Sequence, residues 1–102
     1  MILYNITALV QTEIEIEFRE WVHRVLLLEI TNSGHFKSQS LLKVMDSPNE
    51  GETFCIQVIA KGTDEVALLK TEYIPRLSQQ IEKVWNNKVF IFESKMAYIA
   101  MF

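Results

Sequence analysis

Apolar and polar residues alternate over Ile2–Val10, where the even-numbered side chains are all hydrophobic. Alternation with a period of two is typical of a strand with one buried face, so we predict a first strand with its even face buried. From residue 12 to 34 the hydrophobic residues recur every three or four positions, which predicts an amphipathic helix that ends at Gly34. The remaining predicted segments are, in chain order, strand 36–45, strand 53–61, helix 62–87 and strand 88–102.

This order of elements, strand–helix–strand–strand–helix–strand, fills the chain and leaves no linker for a second domain. It is the βαββαβ order of the ferredoxin-like fold. We therefore predict a single domain over residues 1–102, of the α+β class. Its four-stranded, mostly antiparallel sheet should carry two helices on one face. The same architecture serves many unrelated functions, so the fold alone does not choose among them.

Several local signals refine this prediction. Thr12 and Glu15 have the spacing of a capping box at the start of the first helix. Pro75 lies inside the second helical period and should kink or split that helix near Tyr73. Segment 46–52 is rich in turn-forming residues, which predicts a hairpin. The predicted apolar stripes are Ile14, Phe18, Trp21, Val22, Val25 and Leu28 in the first helix, and Val66, Leu69, Tyr73, Leu77, Ile81 and Val84 in the second.

Charge and cysteine content narrow the range of partners. The chain carries a net charge of −3, and its ten basic residues occur singly, which argues against binding to nucleic acid. Cys55 has no second cysteine to pair with, which indicates a reducing compartment. The start of the chain lacks the features of a signal peptide, and no apolar run is long enough to cross a bilayer. We expect a protein of the cytoplasm with neither a nucleic-acid nor a membrane partner.

Candidate chemistry is sparse. His23 and His35 have no histidine, cysteine or aspartate at metal-ligand spacing. Glu13, Glu17 and Glu20 recur at helical spacing, which is typical of a solvated helix face rather than of a paired acid and base. We therefore predict no catalytic, cofactor-binding or metal-binding residue and no cofactor. Whether the protein is an enzyme is left open, with the balance towards a non-enzymatic role.

The second face of the sheet departs from the expected pattern. In this topology both helices cover one face, and the other face of an antiparallel sheet should alternate towards polar residues. The sequence predicts an apolar face instead, and contiguous apolar surface indicates an interface. We predict a homodimer formed by sheet-to-sheet packing. The predicted dimer face comprises Leu3, Leu9, Leu41, Met45, Ile59 and Tyr98 together with Cys55, and its polar islands are Asn5, Thr7, Gln39 and Gln57.

Two other interpretations stay open. The first is a small-molecule binder, or a cofactor-independent enzyme of the dimeric α/β-barrel type, with a pocket between the sheet and the helices. The residues of that predicted pocket are Tyr4, Trp21, His35, Tyr73 and Trp85. The second is a module that binds an unidentified protein partner through the exposed edge of the last strand.

Several short segments resemble a family of small bacterial proteins, of the kind seen in Bacteroidetes, that is catalogued only as a domain of unknown function. The matching segments are residues 1–7, Trp21, residues 33–36, residues 51–54, residues 75–77 and residues 90–93. The resemblance implies a ferredoxin-like, dimeric α/β-barrel architecture and no known activity. It also implies a His-Ile-Pro element late in the first helix, where this chain has Leu26, Leu27 and Leu28 instead.

Overall fold

The chain folds into one four-stranded sheet with two helical arms packed on one of its faces. The structure is a computed structural model that describes residues 1–48 and 50–102. Its elements are β1 (Ile2–Val10), α1 (Glu15–Trp21), α2 (Leu28–Ser33), β2 (Ser38–Lys43), β3 (Glu52–Ala60), α3 (Thr63–Leu68), α4 (Ile74–Val84) and β4 (Val89–Ala97). The predicted α+β, ferredoxin-like fold is confirmed. Asn49, within the predicted hairpin 46–52, lies outside the described residues.

The strands lie in the order β2-β3-β1-β4, and all three neighbouring pairs are antiparallel. The register places Tyr4 opposite Val58 on β3 and opposite Lys95 on β4. Side chains alternate between faces along a strand, so register decides which residues of neighbouring strands share a face. The predicted even face of β1 is indeed the buried one: Tyr4, Ile6, Ala8 and Val10 are all in the core.

The first helical arm begins with a 3₁₀ turn, Thr12–Ile14, and its two α-helices are joined by the π-helical segment Val22–Leu27. A π turn holds more residues than an α turn, so it rotates the following residues around the helix axis. The predicted stripe is therefore correct through Val22 and wrong beyond it. Val25 and Leu28 are exposed, whereas the core contains Leu26, Leu27 and Ile30.

The predicted capping box at Thr12 and Glu15 is wrong. The backbone N–H of Ile14 donates to the carbonyl of Gln11, which closes the 3₁₀ turn. The Glu15 carboxylate is directed across the fold instead, where Oε1 accepts a hydrogen bond from Lys43 Nζ at 3.2 Å. Glu52 also lies 3.3 Å from Lys43 Nζ, so the start of the first arm is joined to both strands of the β2–β3 hairpin.

In the second helical arm, Glu65 Oε1 accepts a hydrogen bond from the Gly62 N–H at the start of α3. The π-helical segment Leu69–Tyr73 separates α3 from α4, with Pro75 in the first turn of α4. Because proline lacks an N–H group, it is well placed at the start of a helix and poorly placed inside one. The break predicted near Tyr73 is confirmed as a wide turn. The stripe is correct up to Ile81, but Trp85 is buried in place of the predicted Val84.

Aromatic rings fill the core where the first arm begins and the second arm ends. Phe18 lies 5.6 Å from Phe54 and also 5.6 Å from Trp85, measured between ring centroids. The indole N–H of the buried Trp85 donates to Glu17 Oε2 at 3.2 Å. A buried tryptophan needs such an acceptor, so Glu17 belongs to the packing of the two arms and not only to a solvated face.

Gly51, immediately before β3, approaches the end of β1 closely. Its φ is +77°, and a Cβ atom built there would lie 2.4 Å from the carbonyl oxygen of Val10. Both the backbone conformation and the close approach therefore require glycine. Gly34 has a similar φ of +71°, but a Cβ atom there would meet nothing within 4 Å.

We expect Gly51→Ala to lower the free energy of unfolding by about 3 kcal/mol, since the added methyl group combines a strained φ with a backbone clash. The matched control Gly34→Ala adds only the strained φ and should cost about 1 kcal/mol. Urea denaturation of the two variants measures the difference. Equal losses of stability would show that the contact with Val10 does not constrain the hairpin.

Candidate functional site

The face of the sheet opposite the helical arms has four rows of four side chains. They are, from β2 through β3 and β1 to β4, Ser38, Ile59, Leu3, Met96; then Ser40, Gln57, Asn5, Ser94; then Leu42, Cys55, Thr7, Phe92; and then Val44, Thr53, Leu9, Phe90. We call these sixteen residues the open face. We call its second row, which contains only polar residues, the polar row.

None of the sixteen residues of the open face carries a charge. The chain is 23% charged, so sixteen average positions would hold about four charges, and a solvated surface would hold more. Large apolar side chains of this face are nevertheless accessible: Phe92 is 59% exposed, Phe90 54% and Leu42 44%. The open face is therefore uncharged, and nine of its sixteen residues are hydrophobic.

The two edge strands have the reverse of the usual arrangement. On β4, Glu93 and Lys95 lie on the helix side of the sheet, opposite Ile6 and Tyr4 of β1. On β2, Lys43 lies on the helix side, opposite Phe54. The edge strands thus place their exposed charges on the helix side of the sheet and uncharged residues on the open face. Solvation of the open face would favour the opposite distribution.

Hydrogen bonds link the centre of the polar row to its neighbours. Asn5, only 8% exposed, accepts a hydrogen bond at Oδ1 from Gln57 Nε2 at 3.2 Å. Its Nδ2 donates to Thr7 Oγ1 at 3.0 Å, and Thr7 Oγ1 lies 3.8 Å from Cys55 Sγ. The two central strands therefore hold a preformed amide pair in the middle of the open face.

The structure places most of the predicted dimer-face residues where the sequence indicated. Leu3, Leu9 and Ile59 lie on the open face and are half-buried. Tyr98 follows the end of β4, where its N–H donates to the carbonyl of Met1 at 3.2 Å. Their role as dimer contacts stays a prediction.

Two of those residues, and one of the polar islands, do not lie on the open face. Leu41 lies on the helix face, because it pairs with the buried Ile56 and packs against the core. Gln39 is on the same face, opposite Val58. Met45 lies beyond the end of β2 and is 83% exposed. Leu42 and Val44 take the positions on β2 that had been predicted for Leu41 and Met45.

The five residues of the predicted pocket are not brought together. Trp21 packs edge-on against Trp85 at 6.0 Å, whereas Tyr73 packs against Phe36 at 6.0 Å, with His35 beside Phe36. Next to Tyr73, between the sheet and the helical arms, the enclosed space measures about 10 Å³. This volume is about that needed for one water molecule, so it leaves no room for an organic ligand.

Tyr4, the fifth of these residues, has a separate partner. Its hydroxyl donates to Glu93 Oε1 at 2.6 Å. Burial raises the pKa of Tyr4 to about 12, and the hydrogen bond to Glu93 and the negative charge of that carboxylate act in the same direction. A phenol held neutral in this way positions the β4 edge and does not supply a base.

A groove of about 610 Å³ runs between the first helical arm and β2. Among the residues that line it are Arg19, His23, Leu27 and Gln39. Gln39 Oε1 is a buried oxygen without a hydrogen-bond partner in the described part of the chain. Sequence reasoning missed this groove because it placed Gln39 on the other face of the sheet.

No group of three histidine, cysteine, aspartate or glutamate side chains among residues 1–48 and 50–102 is arranged to hold a metal ion. Within those residues, no helix is both long enough and apolar enough to span a membrane.

Comparison with protein families identifies the chain. The model of DUF4286, a domain of unknown function, matches residues 1–99. The chain belongs to the DUF4286 family. The resemblance to a family of unknown function is thereby confirmed, whereas an origin in Bacteroidetes stays a prediction. No curated protein matches the chain.

The comparison with solved structures supports the fold through one match with a high TM-score. An ethyl tert-butyl ether D (EthD) family protein from Bacillus halodurans matches this DUF4286 chain with a TM-score of 0.62 and 11% identity, over 95% of this chain and 100% of that one. A putative PII-like signaling protein from Thermus thermophilus matches with a TM-score of 0.44 and 17% identity, over 94% and 87% of the two chains. At this identity, the match to the EthD protein establishes the fold alone.

We expect Tyr4→Phe to lower the free energy of unfolding by about 1 kcal/mol at neutral pH, through loss of the hydrogen bond to Glu93. Because the folded-state pKa of Tyr4 is raised from 10.0 to about 12, the unfolded chain ionises first. The stabilisation is therefore complete below pH 10 and is lost as the pH rises towards 12. Urea denaturation at several pH values should show the difference between wild type and variant shrinking over that range.

The control for this series is Tyr73→Phe, since the Tyr73 ring contacts Phe36 within a separate cluster. A difference between wild type and Tyr4→Phe that stays constant up to a pH of about 12 would contradict the raised pKa of Tyr4.

Proposed function

We propose that this DUF4286 protein is a non-enzymatic, homodimeric interaction module of the bacterial cytoplasm, in which two copies pack sheet against sheet. The observation that carries the proposal is the uncharged open face. A surface with sixteen neutral residues, several of them large and apolar, lowers the free energy of the protein when it is removed from water. A second copy supplies a surface of the same composition and closes the assembly as a two-fold dimer.

The size of the open face fits this partner. With strands about 4.8 Å apart and rows about 6.8 Å apart, the open face projects over about 500 Å². Its side-chain relief raises the accessible area above the projected area, towards the roughly 800 Å² that each partner buries in a stable interface. The segment after β4 extends this area, because Tyr98 is bonded to Met1 next to the first row and Ile99 and Phe102 are fully exposed apolar residues.

The edges of the sheet are less suited to a partner than its face. β2 is only six residues long, and its helix side carries Lys43. β4 carries Glu93 and Lys95 on its helix side. Charged side chains on edge strands, and a short edge strand such as β2, are features by which proteins prevent edge-to-edge pairing. These features favour association through the open face over addition of a strand to β4.

A second candidate function is small-molecule binding in the groove beside β2. The buried Gln39 Oε1 has no hydrogen-bond partner among residues 1–48 and 50–102, and such an acceptor needs a donor. The groove volume also lies in the range of ligand sites. Native mass spectrometry of protein purified from cells should then show added mass that disappears in Gln39→Leu. A bare protein mass for wild type would remove this candidate.

For the dimer, we expect Phe92→Lys to weaken self-association at least about 100-fold, since each interface would bury two unpaired ammonium groups. The matched control is Val84→Lys, in which a hydrophobic residue of similar exposure, 55% against 59%, is replaced on the helical side. Sedimentation velocity measures the association of both variants, and circular dichroism checks that each is folded.

The proposal requires Phe92→Lys to be a folded monomer at concentrations where Val84→Lys is still a dimer. Equal association of the two variants would show that the open face is not the interface.

A further inference from the structure

We infer that the two copies pack row on row, about a two-fold axis that runs along the strands between β1 and β3. In this arrangement Gln57 of each copy faces Asn5 of the other at the centre of the dimer. The inference rests on the proposed sheet-to-sheet dimer and adds to it the register of the interface and the residues that determine that register.

The pattern of the four rows selects this axis. The axis of a face-to-face dimer lies in the interface, and packed sheets keep their strands approximately aligned. An axis along the strands keeps each row opposite the same row of the second copy, so that β3 faces β1 and β2 faces β4. The polar row then meets a polar row, and the three other rows meet rows that are mainly apolar.

The alternative axes lie across the strands. An axis along the polar row also pairs that row with itself, but it places the first row on the third and leaves the fourth without a counterpart. An axis between the second and third rows places the polar row on the row that contains Leu42 and Phe92. Amide groups buried against apolar side chains lose their hydrogen bonds to water without replacement, which disfavours that register.

The amide groups at the centre of the open face keep a donor and an acceptor available for hydrogen bonds in the row-on-row register. Asn5 Oδ1 already accepts from Gln57, and Asn5 Nδ2 uses one of its two N–H groups on Thr7. In the described part of the chain no side chain donates to Gln57 Oε1, and an amide oxygen is a strong acceptor. The second N–H of Asn5 in one copy can therefore donate to Gln57 Oε1 in the other, twice by symmetry.

A single buried polar contact can select one register among several apolar alternatives, as a buried asparagine does in coiled coils. We therefore assign to Asn5 and Gln57 the selection of the register, and to the surrounding apolar rows most of the association energy.

The register can be tested because it specifies which residues meet away from the axis. In the third row, Phe92 of one copy faces Leu42 of the other. An axis along the polar row would instead place Phe92 opposite Met96 of the second copy. The two registers therefore assign different partners to one side chain.

The experiment mixes separately purified Phe92→Lys with either Leu42→Glu or Met96→Glu and measures heterodimers by native mass spectrometry. In the row-on-row register, a Phe92→Lys and Leu42→Glu heterodimer places the new ammonium against the new carboxylate. The two-fold axis creates a second contact of this kind. In that contact the unchanged Phe92 of the Leu42→Glu copy faces the unchanged Leu42 of the Phe92→Lys copy. We expect this heterodimer to exceed both homodimers at least about tenfold, with no enrichment for Met96→Glu.

Each outcome decides a separate question. Enrichment with Met96→Glu, or with neither variant, overturns the register while the dimer itself stands. A wild-type protein that is monomeric in the same experiment removes the proposed function and not only the register.

A second measurement needs no charge on the open face. Spin labels on Asn86→Cys, in a Cys55→Ser background, lie next to the start of β4. Strand and sheet spacings predict about 20 Å between the two labels for an axis along the strands, because equivalent sheet ends lie together. An axis across the strands predicts about 40 Å, and that distance would overturn the inference.

Discussion

The constraint on which this structure depends is that its sheet carries apolar side chains on both faces and has only one set of helical arms to cover them. The helix face of the central strands consists of hydrophobic residues such as Ile6, Ala8 and Ile56, and the two arms bury it. The open face is left to solvent although none of its sixteen residues is charged. Removing apolar surface from water is the main favourable term in folding and in association, and it is the driving force of the proposed dimer.

The distribution of charged residues on the sheet is consistent with this constraint. Lys43, Glu93 and Lys95 all lie on the helix side of the edge strands, where Glu93 is satisfied by Tyr4 and Lys43 by Glu15 and Glu52. Charges at these positions keep the edges soluble without interrupting the open face. Within that face the only strongly polar groups, Asn5 and Gln57, satisfy each other in part. The chain therefore combines charged edge strands with an uncharged open face, which is the arrangement on which the proposed dimer rests.

Sequence patterns predict this fold well where the structure of a segment follows from its own residues. The alternation in β1 identifies its buried face, and the order of the elements gives the topology. The wrong predictions occur where the burial of a residue depends on pairing with another strand or on an irregular turn of the helix. The β2 segment has no clear alternation, so only its pairing with β3 shows that Leu41 and Gln39 lie on the helix face. The π-helical segment Val22–Leu27 changes which residues of the first arm are buried, and no periodic template anticipates it.

The sequence predicts the character of the candidate site, but it does not predict which residues of neighbouring strands lie side by side there. The lack of charge on the open face is readable from the alternation in β1 and β3 alone. The rows across the sheet depend on three strand registers, and the groove beside β2 depends on the face of Gln39. The residues of the predicted pocket are dispersed for a related reason, since Trp21 and Tyr73 belong to separate aromatic clusters that sequence spacing does not distinguish.

Sedimentation equilibrium of the wild-type protein tests the central claim most directly. If the open face is a dimer interface, the protein at micromolar concentration should have twice the chain mass of 11.9 kDa and show no larger species. A single chain mass throughout that concentration range would contradict the account, because the uncharged face would then be stable in water without a second copy.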